Sequence, residues 1–329
     1  MPTTAESAKL EYEGGQNAVA MSALTDSGDQ TTFTSTASLW SNRSGFVPVI
    51  KPNGLLTGGA SIPAISTTND LIDVAALSCN LQGVVTAVGA DTDVSCTRPA
   101  TAVSKVNSIT VNAAGAIAVV VGTDGSTTAF SETRAAAGGP PLIPTDSIEI
   151  AQVRFTSDTA AAVTAAEIFE VVGLHRERAD FPQSTLDYGS GSLVFLAALD
   201  TIHTGPVPKA VFASYSSPIF AEVALADAYV APEDSHSVSS TQIYNTTLGS
   251  SSSTLSQGSF TAYLQDGVTD TIVGLKNETL WFRFYPNRYN SSYVLAQGKL
   301  GISRTFPADD NIAASCTISA TSAATDVVS

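Results

Sequence analysis

The chain has 329 residues, 43% of them hydrophobic and only 14% charged, and its 30 Asp and Glu against 15 Lys and Arg give a formal net charge of −15. That hydrophobic content excludes a disordered chain, and the length suits about two domains. No basic stripe is present to displace counterions from a phosphate backbone, which excludes an ordinary nucleic-acid binder; the negative charge suits solubility or repulsion of an anionic passenger.

The opening residues, MPTTAESAKLEYEGG, lack the basic start and apolar core of a signal peptide. The longest apolar run, AIAVVV at 116–121, is far too short for a membrane span. The expectation is a soluble protein made in the cytoplasm, without membrane insertion. Residues 1–50 show no sustained period and are expected to form an arm and loops. Residues 51–174 then predict a β-rich domain, with strands near 70–76, 80–90 and 93–98. NSITVNAAGAIAVVVGTDG (107–125) predicts a hairpin turning at Ala113–Gly115. AAAGGPPLIPTD (135–146) cannot be helix or central strand, because its glycines and prolines break both. In SIEIAQVRFTS, Ile148 and Ile150 change parity with Val153 and Phe155, so a register shift is expected around Ala151–Gln152. VTAAEIFEVVG (163–173) fits a helical turn or an edge strand, and the charge-dense LHRERADFP reads as a linker between units.

A second β-domain is expected over 175–322, followed by a tail at 323–329. Its strands begin at about 192–197, 209–215 and 219–225. Residues 226–258 are sparse in apolar side chains and read as a long functional or disordered loop, with SSSS at 250–253 as a flexible tip. The rhythm then changes. Phe260, Ala262 and Leu264 alternate as a strand; Asp266 suits an N-cap; and Val268, Ile272 and Leu275 form one stripe of a helix of about ten residues. Asn277 can end that helix, and TLWFRFYP resumes a strand with Leu280, Phe282 and Phe284 on one face. A helix so short must dock on a sheet.

No catalytic group assembles. His175, His203 and His236 are far apart and lack metal-ligand spacing. Neither a P-loop nor a nucleophile elbow is complete, and the acidic pairs in ADTDVS and PADDN suit turns. Cys79, Cys96 and Cys316 form no C-x-x-C and are expected as small buried side chains. The expectation is therefore no enzyme, no metal and no cofactor.

The order SFTAYL, short helix, WFRFYPNR, YVLAQGKLGISRTF, turn, IAASCTISA resembles the tail tube proteins of long-tailed bacteriophages. The likeness is nearest to the major tail proteins of flagellotropic, chi-like phages with non-contractile tails. The earlier module, NSITVNAAGAIAVVVGTDG through GGPPLIPTDSIEIAQVRF to AAEIFEVVGLHRERADFP, resembles the same group, which extends the similarity from about residue 53 to 320.

That resemblance implies a mainly β fold: a tail-tube β-sandwich or barrel with a short flanking helix, plus an additional N-terminal β-domain. It implies hexameric rings stacked into a hollow tube in the virion tail, assembled in the bacterial cytoplasm. Its partners would be further copies of itself, the tail terminator and distal tail proteins, and the tape measure protein in the lumen. Double-stranded DNA would pass through without specific binding. Candidate lumen or ring-contact residues are Glu222, Asp227, Glu233, Asp234, Asp266 and Asp270. The alternatives are a fibre or adhesin-like module binding a bacterial surface glycan, and a glycan hydrolase using an acidic pair. Fibres usually carry repeats or coiled coils, which are not seen here, and no pair of carboxylates can be placed across one glycosidic bond.

Overall fold

Alternation of apolar and polar side chains, rather than helical spacing, decides the architecture. The computed structural model describes residues 7–66, 68–171, 175–179, 183–199 and 209–328, and is mainly β, built of antiparallel sheets. The chain divides into two compact units, one of Met1–Ala18, Leu39–Val47 and Tyr215–Ser329, the other of Val19–Ser38 and Pro48–Ser214. Neither expected boundary, 50/51 or 174/175, is a division between these units.

In the first unit, seven strands lie side by side in the order Ala226–Val230, Gly258–Tyr263, Ala313–Ala320, Tyr293–Thr305, Thr279–Tyr285, Lys9–Ala23 and Val211–Glu222. Residues 9–18 and 215–222 of the last two belong to this unit. The sheet curls. Tyr229 and Phe284 stack at 4.5 Å between ring centroids, and Phe260 meets Phe282 at 5.9 Å, although two or three strands separate each pair along the sheet. Inside the curl lie Leu10, Tyr12, Phe260, Ala262, Leu280, Phe282, Leu300, Cys316 and Ile318. Phe260 and Ala262 are buried as their alternation predicts, and so are Leu280 and Phe282.

The expected N-terminal arm is instead part of this sheet. Lys9 to Tyr12 pair antiparallel with Tyr285 to Phe282. Residues 39–47 are anchored as well: Trp40 stacks on Tyr215 at 4.8 Å, and the Trp281 indole donates to the Trp40 carbonyl at 2.9 Å. The buried Glu13 carboxylate accepts from the Ser41 hydroxyl, from Gln16 at 3.1 Å and from the Trp281 amide at 3.3 Å. The expected C-terminal tail also contributes a strand, Thr325–Val327, paired with Tyr293–Leu295.

The helix is shorter than its stripe suggested. It spans only Thr271–Gly274, with Ile272 and Leu275 buried and Val268 67% exposed. Asp266 does not cap it. Its carboxylate accepts from the Val268 and Thr269 amides and the Thr269 hydroxyl, closing a turn in which Gly267 sits at φ +72°. A left-handed glycine there stops the helix from starting earlier and turns Val268 into solvent. Asn277, at φ 72°, ends the segment as expected.

The second unit builds one core from three sheets. Gly54–Gly58, Leu77–Leu81 and Val84–Val88 form one, and Asp91–Ser95, Leu71–Val74 and Ser61–Pro63 another. The third has Ile117–Val121, Lys105–Val111, Ile148–Phe155 and Ile168–Phe169 in that order. Ile72, Cys79, Ile109, Val111, Ile150, Val153 and Phe155 meet in the shared core. The 107–125 hairpin pairs Asn107 with Val121 through Val111 with Ile117. The described part of 163–173 holds both expected forms, a 3-10 turn at Ala165–Glu167 and the edge strand Ile168–Phe169. The predicted linker lies partly outside the described residues; its described part, 175–179, is anchored within this unit. Leu55 and Glu177 pair through their backbones, Ala179 donates to Leu55, and His175 and Glu177 are buried. The strands expected at 209–215 and 219–225 are one strand, Val211–Glu222, which runs through Pro218.

Candidate assembly surface

Residues 226–258 correct the expectation of a loop. Ala226–Val230 pairs with Gly258–Tyr263, and between them Asp234–Ile243 and Thr246–Leu255 form a ten-rung hairpin, from Asp234↔Leu255 to Ile243↔Thr246. Tyr244 and Asn245 make the turn, with Asn245 at φ 71°. SSSS (250–253) is therefore mid-strand, and the tip is Tyr244–Asn245. At about 3.3 Å per residue, each strand is roughly 30 Å long. Hydroxyls bridge the strands on one face: Ser235 to Thr254 at 2.8 Å, and Ser237 to Ser252 and Ser239 to Ser250 at 2.7 Å.

Every residue from 233 to 254 is exposed. Among the described residues, neither strand of the hairpin pairs with anything but the other, so both outer edges present open amides and carbonyls. Native edges are commonly guarded by Lys, Pro or bulges. Here no Lys, Arg, Asp or Glu occurs between Asp234 and Asp266, and Val238, Ile243, Tyr244 and Leu248 stand in solvent.

The six candidate acidic residues fall at separate places. Glu222, at the end of Val211–Glu222, pairs with Arg288 at 3.1 Å. Asp227 lies on the edge strand and accepts from the Ala228 amide. Glu233 and Asp234 stand at the hairpin base; the Glu233 backbone bonds the Ser256 hydroxyl in both directions, at 2.9 and 3.0 Å. Asp266 and Asp270 share one turn. Asp270 accepts from the amides of Gln265, Asp266 and Gly267 at 2.8–3.3 Å, while the Thr269 hydroxyl, ahead of the Val268 and Thr269 amides, holds the Asp266 carboxyl down to about 2. Those two carboxylates shape a loop. Of the flanking-helix stripe, the structure keeps Ile272 and Leu275 buried and leaves Val268 outside. Among the described residues, no three His, Cys, Asp or Glu side chains are grouped to hold a metal ion, and no helix is long and apolar enough to cross a membrane.

Two features escaped the sequence. One is a buried polar layer in the second unit. The register of Lys105–Val111 against Ile148–Phe155 shifts between Ile109 and Thr110, leaving Ile150 as an extra residue. This bulge turns Glu149 onto the face that carries Ser108, Gln152 and Arg154. There Glu149 accepts from Arg134, from Ser108 at 2.6 Å and from Gln152 at 3.1 Å, while Arg154 clasps Glu132 at 2.7 and 3.0 Å and meets His175 at 3.1 Å. Burial, then Arg154, pushes the His175 pKa below its usual value. The parity change in SIEIAQVRF was the available signal; what covers the polar face was not. The other feature is the Arg283 side chain, set among aromatic rings on the first unit's sheet. The three thiols are free and buried, and desolvation raises Cys79 to about 11 and Cys96 and Cys316 to about 12, so none is a reactive thiolate.

No known protein family, curated protein or solved structure matched the chain.

Proposed function

We propose that this protein is a structural subunit of a phage tail tube, assembling as hexameric rings that stack into a hollow conduit for DNA. The observation that carries this reading is the hairpin of residues 234–255: two ten-residue strands with no Lys, Arg, Asp or Glu beyond Asp234 at the base, exposed on both faces and open on both edges. A two-stranded ribbon is marginal alone in water, so its natural stabiliser is contact with another chain. A heterologous contact that does not close on itself along the stacking direction yields a filament. The net charge of −15 suits a conduit along which phosphates slide without sticking. The tail terminator, distal tail proteins and tape measure protein are the further partners this reading entails, and no enzymatic step is part of it.

The test is electron microscopy of concentrated purified protein in negative stain. Six-fold rings or tubes of uniform width are expected. Protein that stays monomeric under every assembly condition, and is absent from virions, would contradict the reading.

A further inference from the structure

On the face of the first unit's sheet opposite its core, cations and aromatic rings alternate across four strands. The Arg283 guanidinium lies 3.7 Å from the Phe220 ring centroid and 5.0 Å from that of Tyr293. Tyr293 meets Tyr285 at 5.2 Å, and Lys9 sits 4.5 Å over Tyr285. All five side chains are half-buried.

The neighbouring cations have anions. Lys9 pairs with Glu11 at 2.7 Å, and Arg288 pairs with Glu222. Arg283 stands directly across from Glu11 in the strand register, yet Glu11 is taken by Lys9. Among the described residues, Arg283 has neither a carboxylate within ion-pair distance nor a hydrogen bond, and its Nε is buried without an acceptor. On the adjacent strand the Gln297 Nε2 is likewise buried and unsatisfied. Two donors on one sheet face thus lack acceptors, in a chain with twice as many acids as bases. A partly desolvated guanidinium without an anion is unfavourable, whereas one held against aromatic rings is pre-organised to receive a carboxylate.

We infer that this face is a contact between copies of the chain, in which Arg283 receives the carboxylates of Glu233 and Asp234 from a second copy. The inference rests on the self-assembly in the proposed function but not on the tube geometry. Charge complementarity together with position favours the hairpin base as the occupant: two adjacent carboxylates there begin an otherwise uncharged, unpaired ribbon. Among the described residues, Glu233 and Asp234 have no cation within ion-pair distance, and they stand at the base of a hairpin that is otherwise free of charge. Two copies of net charge −15 repel in general. An approach through the uncharged hairpin, ending with two acids on an unpaired arginine, meets the least repulsion. Arginine and tyrosine are also among the side chains enriched at the energetic centres of interfaces.

Sedimentation velocity of the full chain over a concentration series tests the contact. Arg283→Gln and Arg283→Glu should each weaken self-association about tenfold or more, as should the Glu233→Arg/Asp234→Arg pair. Combining Arg283→Glu with that pair should restore association toward the wild-type constant. Fluorescence of Trp281, two residues away on the same strand, reports folding, and Arg283→Gln keeps the test valid where the Glu variant misfolds. Unchanged association of Arg283→Gln, or a combined variant no better than its parents, overturns the contact. Tubes that form equally well from Arg283→Gln protein overturn it while leaving the tail-tube reading standing. Wild-type protein that is monomeric at every concentration overturns both.

Discussion

Two antiparallel strand pairs of this chain, both rich in polar side chains, have opposite fates. Every residue of Lys105–Val111 and Ile148–Phe155 is buried, including Ser108, Thr110, Glu149, Gln152 and Arg154. In the hairpin of residues 234–255, every residue through Thr254 is exposed. In the buried pair each charge meets several partners, and a bulge aims Glu149 at them. In the exposed pair the backbone ladder and three hydroxyl bridges are the described bonds between the strands. Polar content therefore does not set burial here; the supply of partners does. The buried layer finds nearly all of its partners within one chain, Arg154 Nε excepted, whereas on the proposed reading the hairpin finds its partner in another copy.

Removing a partner from the buried layer should cost most. Glu149→Ala takes the shared acceptor from Arg134, Ser108 and Gln152 and leaves the Arg134 charge without its anion, which should destabilise the second unit by about 3–5 kcal/mol in denaturant titrations. The double change Ser237→Ala/Ser252→Ala in the hairpin should move monomer stability by less than about 0.5 kcal/mol. Comparable losses from the two would break the contrast.

The same contrast recurs within one turn of chain. Ile272→Ala removes a buried side chain and should cost about 2–5 kcal/mol, whereas Val268→Ala, in solvent, should cost under about 0.5 kcal/mol. A large effect at Val268 would revive the longer helix that the spacing suggested.

A smaller effect concerns pH. His175 is held below its ordinary 6.5, first by burial and then by Arg154, so the unfolded chain binds the proton more readily. Its contribution is full above 6.5 and is lost as pH falls through the lowered folded-state value. Melting temperature should decline on acidification in that window, less steeply in His175→Gln. Parallel profiles for the two proteins would remove His175 from the account.

Much of the fold was legible where one strand face is apolar: the turn at 113–115, the parity change in 148–155 and the alternation at 260–262 each describe a buried face. The N-terminal strand was not legible, because Leu10 and Tyr12 give only two alternating positions before Gly14–Gly15 and their partners lie some 270 residues away. Nor was the hairpin, since strands with no buried face leave no hydrophobic rhythm; its signal was the Ser and Thr run on both sides of Tyr244-Asn245. The acidic candidates were identifiable as residues but not as roles. Asp266 and Asp270 bind their own backbone, Glu222 holds Arg288, and the unpaired cation at Arg283 depends on how four strands line up.

The central claim is that the exposed hairpin exists to be covered by another copy. Replacing residues 235–254 with a short glycine turn and following sedimentation across a concentration series tests it most directly. The shortened protein should keep the wild-type melting temperature and remain monomeric at concentrations where the intact chain forms rings or tubes. Assembly that proceeds equally well without the hairpin would contradict the account.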